Sequence, residues 1–417
     1  MRFTLRRRKR VADAVGDLPR ARTSPEQLGH AGVEIQSFRG WHIAPNRVQD
    51  LTARYATPWN QHAAPGENSA AETANVLRAW QRSGTLVPDR EPAMYVYQQT
   101  GPRGAQRGLL TAAHLDSRIL PHETVRPERV EGITNLMRIG RCNLDPLLLG
   151  YSGGRRTTVT LSAVVREQRP IVDVLASDGQ RHGLWRLDDR AAQLEIASEL
   201  RSLSAFLADG HHRRLAARQY RRELYAAGYG PGPWDSVSAL LVDVRQSPLT
   251  LGPVHRVLPY VDSRTALSRA ARWFHVAQLT GPITHWVRAL HESVPYGPAY
   301  LVVTPREVFL LTEPDPALRE AALGHVAGPL RSMHATILDN AVMRSLWDVD
   351  DAEVDYEPSA TRAVRQVREQ GGVAVLLAAP GQTEIHRASS AGLQLPHRTA
   401  AFGPKPHPAM LLRTIER

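Results

Sequence analysis

Apolar residues alternate with polar or small ones through "AMYVYQQT" (93–100) and "RGLLTAAHLD" (107–116), with the polar turn "GPRGAQ" between them. That period of two predicts a β-hairpin. "PIVDVLASDGQRHGLWRL" (170–187) predicts a second hairpin on an Asp-Gly turn. "DPLLLGYSG" and "SVSALLVDV" read as strands, and "VAVLLAAP" as a buried one. "TTVTLSAVV" (157–165) favours strand by its β-branched content. Helical spacing appears instead at Val76, Leu77 and Trp80, in the second half of "HETVRPERVEGITNLMRIG", in "DDRAAQLEIASELRSL", near 317–330 and 334–346, and in "ATRAVRQVREQG". Hairpins mixed with helices predict an α+β fold of mixed sheets and packed helices rather than a strict βαβ array.

A length of 417 residues exceeds one ordinary domain. The expected division is a disordered basic tail over 1–30, an N-terminal α+β domain over 31–232 and a C-terminal α/β domain over 233–417, with the turn-rich "GYGPGPWD" at the join. No run of about 18 apolar residues predicts a membrane span, and no apolar segment follows "MRFTLRRRKR" as a secretory signal requires. The single cysteine, Cys142, excludes an intramolecular disulfide and fits a cytoplasmic location. Net charge is +11, carried mostly by arginine beside abundant alanine and leucine. A GC-rich coding background produces the same bias, so charge alone does not assign a nucleic-acid partner.

Several signatures are missing. There is no G-x-x-x-x-G-K-[ST], and "GYGPGP" lacks the dinucleotide frame. "GYSGG" (150–154) matches a nucleophile elbow at Ser152, but the β-favouring stretch after it is not the helix an elbow needs.

"LADGHHRRLAARQY" (207–220) is more informative. An Asp-Gly turn running into a helix leaves free amides at the positive end of a helix dipole, a natural anion site. Arg213 adds a bidentate phosphate contact. His211 and His212 can donate hydrogen bonds, ligate a metal or move protons, and Asp209 can hold a divalent cation or orient a histidine. The plain alternative is an Asp209 N-cap with exposed basic residues, and Arg214, Arg218, Arg221 and Arg222 are read as that solvated face. Three further clusters fall on loops: His122, Glu123, Thr124, Arg126 and Arg129; His255 and Arg256; and His397, Arg398 and Lys405. Converging loops of this kind look like site walls.

Together "FRGWHIAP", "EPAMYVYQQT", "HETVRPE", "GLWRLDD", "LADGHHR", "GPVHRVLP", "VDYEPSATRAV" and "LPHRTAAFGPK" resemble the domain-of-unknown-function 1015 family of bacterial and archaeal proteins. Two stretches depart from its pattern. "ATPWNQH" puts Trp59 and Asn60 where the family has tyrosine and aspartate, and Arg398 with Thr399-Ala400 replaces Lys-Ser-Thr. The Asp-Gly-His-His-Arg element is similar to the phosphate-binding element of the ParB/sulfiredoxin-like superfamily, which includes free-serine kinases. This resemblance implies ATP or another nucleotide held by its phosphates on Gly210, His212 and Arg213, with Mg²⁺ near Asp209. It also implies a carboxylate base, Glu123 or else Asp209, beside His122 and His211 at the hydroxyl of a small molecule such as serine. His255, Arg256 and Lys405 would bind its carboxylate or further phosphates. The alternatives are a nucleotide-switched, ParB-like binding protein whose basic tail touches DNA, and a metal- or serine-dependent hydrolase. Oligomeric state is not predicted.

Overall fold

The computed structural model describes residues 31–47, 67–102, 104–176, 179–381, 384, 393, 395, 398–407 and 410–416. The basic tail, the 56–62 departure and His397 lie outside these residues. Architecture is mixed α+β, as the patterning predicts.

Strands β1 (Ile35–Gln36), β4 (Met94–Gly101), β5 (Gly104–His114), β6 (Ile119–Leu120), β8 (Leu147–Tyr151), β9 (Val172–Leu175), β10 (Arg181–Leu187), β11 (Ala205–Asp209) and β12 (Ser236–Asp243) form a nine-stranded mixed sheet. Its order is β6-β11-β8-β12-β5-β4-β10-β9, with β1 added on β5. Both predicted hairpins are present, β4–β5 and β9–β10. Side chains alternate between two cores. Leu109, Leu147, Leu149, Ala239 and Leu241 face one, and Leu110, Leu148, Leu240 and Val242 face the other. Burial on both faces accounts for the unbroken apolar run of β12.

The first face is covered by α2 (Pro127–Gly140), α3 (Arg155–Glu167), α4 (Arg190–Leu200) and α5 (His211–Ala226). The second packs on α1 (Glu67–Arg82) and on a four-stranded sheet. That sheet is made of β2 (Gly40–Ile43), β3 (Leu86–Pro88), β7 (Cys142–Asn143) and β21 (Leu411–Thr414).

Residues 157–165 are helix α3, which corrects the strand reading. Thr157, Leu161 and Val164 recur at helical spacing and are buried, so tertiary packing overrides β propensity. Glu199 completes α3 from outside by accepting the amides of Arg156 (3.1 Å) and Thr157 (2.8 Å).

A six-stranded antiparallel sheet holds β14 (His255–Leu258), β15 (His275–Leu279), β16 (Tyr300–Val303), β17 (Val308–Thr312), β18 (Asp355–Glu357) and β19 (Val373–Leu376). Helices Ser263–Ala270, Ile283–Ser293, Pro316–Leu323 and Ala360–Gln370 flank it, with a π-helical segment at Leu338–Leu346.

The sheets divide the chain elsewhere than at the expected 232/233 boundary. β12, beyond that boundary, lies in the middle of the first sheet, and β21 returns from the C-terminus to the four-stranded sheet, beside β2. "GYGPGPWD" is not a linker: Trp234 is buried in the first core, and its indole N–H donates to Gly230 O at 2.9 Å. The first sheet is left only after Asp243. A two-stranded ribbon, β13 (Thr250–Gly252) with β20 (Ala401–Gly403), then bridges toward the candidate site.

Candidate functional site

Asp209 ends β11 and His211 begins α5, so Gly210 makes the whole turn, in the left-handed region at φ +99°. A Cβ there would lie 2.8 Å from Leu147 Cδ2 and 3.0 Å from Arg213 Nε. Glycine is required both by conformation and by space. Among the described residues no side chain caps the helix, which leaves its first-turn amides for another acceptor.

Cations converge on this turn. Arg213 bonds Asp209 Oδ2, and Lys405 Nζ lies 2.6 Å from Asp209 Oδ1. Burial raises the Asp209 carboxyl, but Lys405 and Arg213 outweigh it and hold the group well below the usual carboxylate range. Arg213 Nη1 also lies 3.4 Å from Asp145, while its Nε is buried without a hydrogen-bond partner among the described residues. These groups open on a cavity of about 260 Å³, whose polar lining includes Arg129, Asp145, His212, Arg398 and Lys405.

The His122-Glu123-Thr124 loop adjoins this turn through the contact of His122 with His211. Leu395 N–H donates to His122 O (2.6 Å), and Thr124 N–H to Leu395 O (3.3 Å), so the C-terminal segment pairs with this loop like a strand. Glu123 accepts the backbone N–H of Arg398, a non-glycine residue at φ +59°. Burial pushes the Glu123 carboxyl up to about 7 despite that bond and the charge of Arg398. A carboxyl so placed gains and loses its proton near neutrality.

The histidines are neutral. His211 Nε2 accepts the His122 amide at 3.4 Å and His212 Nε2 accepts the Arg126 amide at 3.0 Å, which puts the ring proton of each on Nδ1. Burial lowers His122 and His212 to about 4 and His211 to about 3. The His122 ring stands edge-on to His211, centroids 4.5 Å apart, and to Phe402 at 5.1 Å.

Not every predicted residue joins the site. Arg256 is fully buried in the second sheet and forks onto Asp339 (3.0 and 2.9 Å), with His255 buried beside it and accepting the Leu377 amide. Neither lines the cavity, so the expectation that they bind ligand is corrected to a structural role. Arg256 does reach toward the site indirectly: its guanidinium and that of Arg126 both lie over the Tyr356 ring, 5.1 and 5.3 Å from its centroid. Arg126 also bonds Asp351 at 2.7 Å.

The solvated basic face is likewise corrected. Arg214 is buried and donates to Ile119 O (2.9 Å), Arg218 donates to Leu115 O (2.9 Å), and Arg221 forks onto Asp116. They tie α5 to the 115–119 loop, and only Arg222 is exposed as expected.

Ser152 does sit in a strand–turn–helix, but its hydroxyl oxygen accepts from Arg245 (2.7 Å), which cannot serve as a base. Among the described residues no group of three His, Cys, Asp or Glu side chains could hold a metal ion. Asp209 has both oxygens on cations, so its surroundings do not fit Mg²⁺.

Sequence reasoning missed Asp145 and the apolar wall of Ile133, Leu136, Met137, Leu144 and Val237. A signal was available in the spacing of the three α2 residues, which resembles any core stripe.

Fold and geometry thus define an α+β protein with a cation-rimmed cavity at a glycine strand-to-helix turn. The chain belongs to the DUF1015 family, proteins of unknown function, whose model matches residues 54–353. No curated protein matches the sequence. A solved structure of a free serine kinase in complex with AMP is similar at TM-score 0.37 and 12% identity, over 72% of this chain and 90% of that one. SbnI with a C-terminal truncation, from Staphylococcus aureus, is similar at TM-score 0.34 and 12% identity, over 70% and 82%. No helix among the described residues is long and apolar enough to cross a membrane.

Proposed function

We propose that the chain is a nucleotide-dependent phosphotransferase acting on the hydroxyl of a small molecule, serine or a related amino acid first among candidates. The observation that carries this reading, among the described residues, is the uncapped α5 N-terminus at Gly210, flanked by Arg213 with a buried, unpartnered Nε and by Lys405. Free amides and two cations suit the phosphates of a nucleotide. Glu123, held near neutrality one loop away, supplies the base.

In this mechanism Glu123 takes the proton of the acceptor hydroxyl. The hydroxyl oxygen bonds to the terminal phosphorus, and the bond from that phosphorus to the bridging oxygen breaks. Arg213 and Lys405 take up the charge left on the departing phosphate, and the Gly210–Arg213 amides keep the chain of phosphates aligned. No step is assigned to Mg²⁺, because Asp209 is already shared by two cations.

The native protein, incubated with serine and either ATP or ADP, should form phosphoserine. Glu123→Gln should abolish turnover while leaving nucleotide-induced thermal stabilisation intact. Absence of stabilisation by any nucleotide, or full turnover by Glu123→Gln, would overturn the assignment. Binding without turnover would instead favour a nucleotide-switched binding protein.

A further inference from the structure

Arg107 and Asp243 carry opposite charges on neighbouring strands and do not pair. The β5–β12 ladder ends with Leu109 opposite Leu241, and the same register puts Arg107 opposite Asp243. Two residues beyond Leu109 and Leu241, both side chains fall on the face that α3 covers. Arg107 turns instead to Gln98 Oε1 (2.9 and 2.7 Å) and to Ser162 Oγ (2.7 Å). Three of its five N–H groups are thus bonded, and one on each Nη is left. Burial lowers its pKa, with no carboxylate acting against that shift. Asp243 Oδ1 accepts the backbone amides of Gly153 (3.3 Å) and Arg245 (3.1 Å). Its Oδ2 accepts, among the described residues, the Thr158 hydroxyl at a long 3.4 Å. Thr158 and Ser162 stand one turn apart on α3, so the two charges are held about 6 Å apart along that helix.

A cavity of about 210 Å³ lies here, lined by both charged groups and by Thr158, Ser162 and Ser247, whose hydroxyls can donate or accept. It is separate from the Gly210 cavity. Val237 lines that one and Asp243 this one, at opposite ends of β12 and about 20 Å apart along the strand. An anion alone would meet Arg107 but be repelled by Asp243, and a cation alone would meet the reverse. A molecule that carries both charges satisfies both groups. We propose that this cavity is a second ligand site, which takes a small zwitterion of amino-acid size. The carboxylate of the ligand lies on the remaining Nη N–H groups of Arg107, and its ammonium donates to Asp243 Oδ2. This site does not depend on the phosphotransferase reading of the Gly210 cavity.

Glycine, L-alanine, β-alanine and γ-aminobutyrate are zwitterions of increasing size or charge separation and serve as probes in calorimetric titration of the native protein. At least one should bind about tenfold more tightly than propionate or propylamine, which carry one charge each. Arg107→Gln should weaken that binding by about tenfold or more. Ser162→Leu, which fills the cavity from α3, should do the same. Arg213→Gln, in the other cavity, should leave it unchanged. Binding of none of the four zwitterions, or propionate or propylamine binding as tightly, overturns the proposal. So does binding that survives Arg107→Gln and is lost in Arg213→Gln, which places the zwitterion in the Gly210 cavity. If Arg107→Gln fails to fold, Ser162→Leu decides by the same criterion, and unchanged binding there overturns the proposal.

Discussion

Lys405 Nζ lies 2.6 Å from Asp209 Oδ1, although 196 residues separate the two. The contact joins the C-terminal segment to the strand-to-helix turn, and it sets the charge of the cavity mouth. Lys405→Met would leave Asp209 with Arg213 alone. Lys405 is half exposed, so solvent screening holds the stability loss to about 1 kcal/mol or less. The larger effect falls on ligand: the phosphate end loses one of its cations. ADP affinity should drop about tenfold, with a weaker dependence on salt, read by titration at two ionic strengths.

Gly210→Ala tests the turn itself. The left-handed φ of +99° disfavours a Cβ, and that Cβ would press on Leu147 and on Arg213 Nε. The strain costs about 1–2 kcal/mol, visible as a lower urea midpoint. The displaced Arg213 and tilted amides should cost more than tenfold in ADP affinity. A variant that binds ADP as the native protein does would remove this turn from the site.

Much of this turn was legible because its chemistry is local: acid, glycine and helix start stand side by side in "ADGHHR". The pairs that complete it are not local. Lys405 meets Asp209, and Arg398 meets Glu123, only through folding of the C-terminal segment. The arginines of α5 were misread for a related reason. Their partners are Asp116 and the carbonyls of Leu115 and Ile119, and a carbonyl leaves no trace in the side-chain pattern. Arg256 follows a Gly-Pro turn and resembles a loop cation, yet it lies inside a strand and faces Asp339 from the π-helical segment. In α3, β-branched residues masked a helical stripe whose spacing was already present.

The histidine cluster predicts an acid-labile fold. His122, His211 and His212 sit near 4, 3 and 4 when folded, below the ordinary histidine value of 6.5, because burial disfavours the cation. Between pH 6.5 and about 4 the unfolded chain takes up protons that the folded chain refuses. Stability therefore falls as pH falls through this window, by about 1.4 kcal/mol per pH unit for each such proton. Glu123 acts in the opposite sense. Its folded value of about 7 lies above the ordinary 4.5, so the folded state binds the extra proton and loses stability as pH rises from 4.5 to 7. Urea midpoints across pH 4 to 8 should show both slopes, and Glu123→Gln should remove only the second. Turnover, where Glu123 is the base, should rise through pH 7.

Arg256 supplies a test of structural against ligand-binding roles. Its guanidinium is wholly buried on Asp339. Removing one member of such a pair strands a charge and costs about 3–5 kcal/mol. Arg256→Met should lower the thermal midpoint sharply, and adding Asp339→Leu should recover much of the loss. A ligand-binding arginine would give the reverse pattern, with near-native stability and weak ADP binding.

Tyr97 fixes the segment that carries Lys405. Its hydroxyl oxygen accepts the His407 amide at 2.8 Å and lies 2.8 Å from His182 Nδ1, while Gln99 Nε2 donates to Pro404 O at 3.0 Å. Gln106, Gln99 and His182 stand in register on three adjacent strands, so this polar row is built by the sheet and bound from above by residues 404–407. Tyr97→Phe removes the hydroxyl without changing the ring, and a buried group that loses its partner costs about 1–3 kcal/mol. That cost is local to the row, so global stability should fall modestly while amide exchange over residues 401–407 speeds up by an order of magnitude or so. Lys405 would then visit Asp209 less often, and ADP affinity should fall with it, by less than in Lys405→Met. Unchanged exchange in 401–407 would mean that the ribbon of β13 with β20 holds the segment by itself.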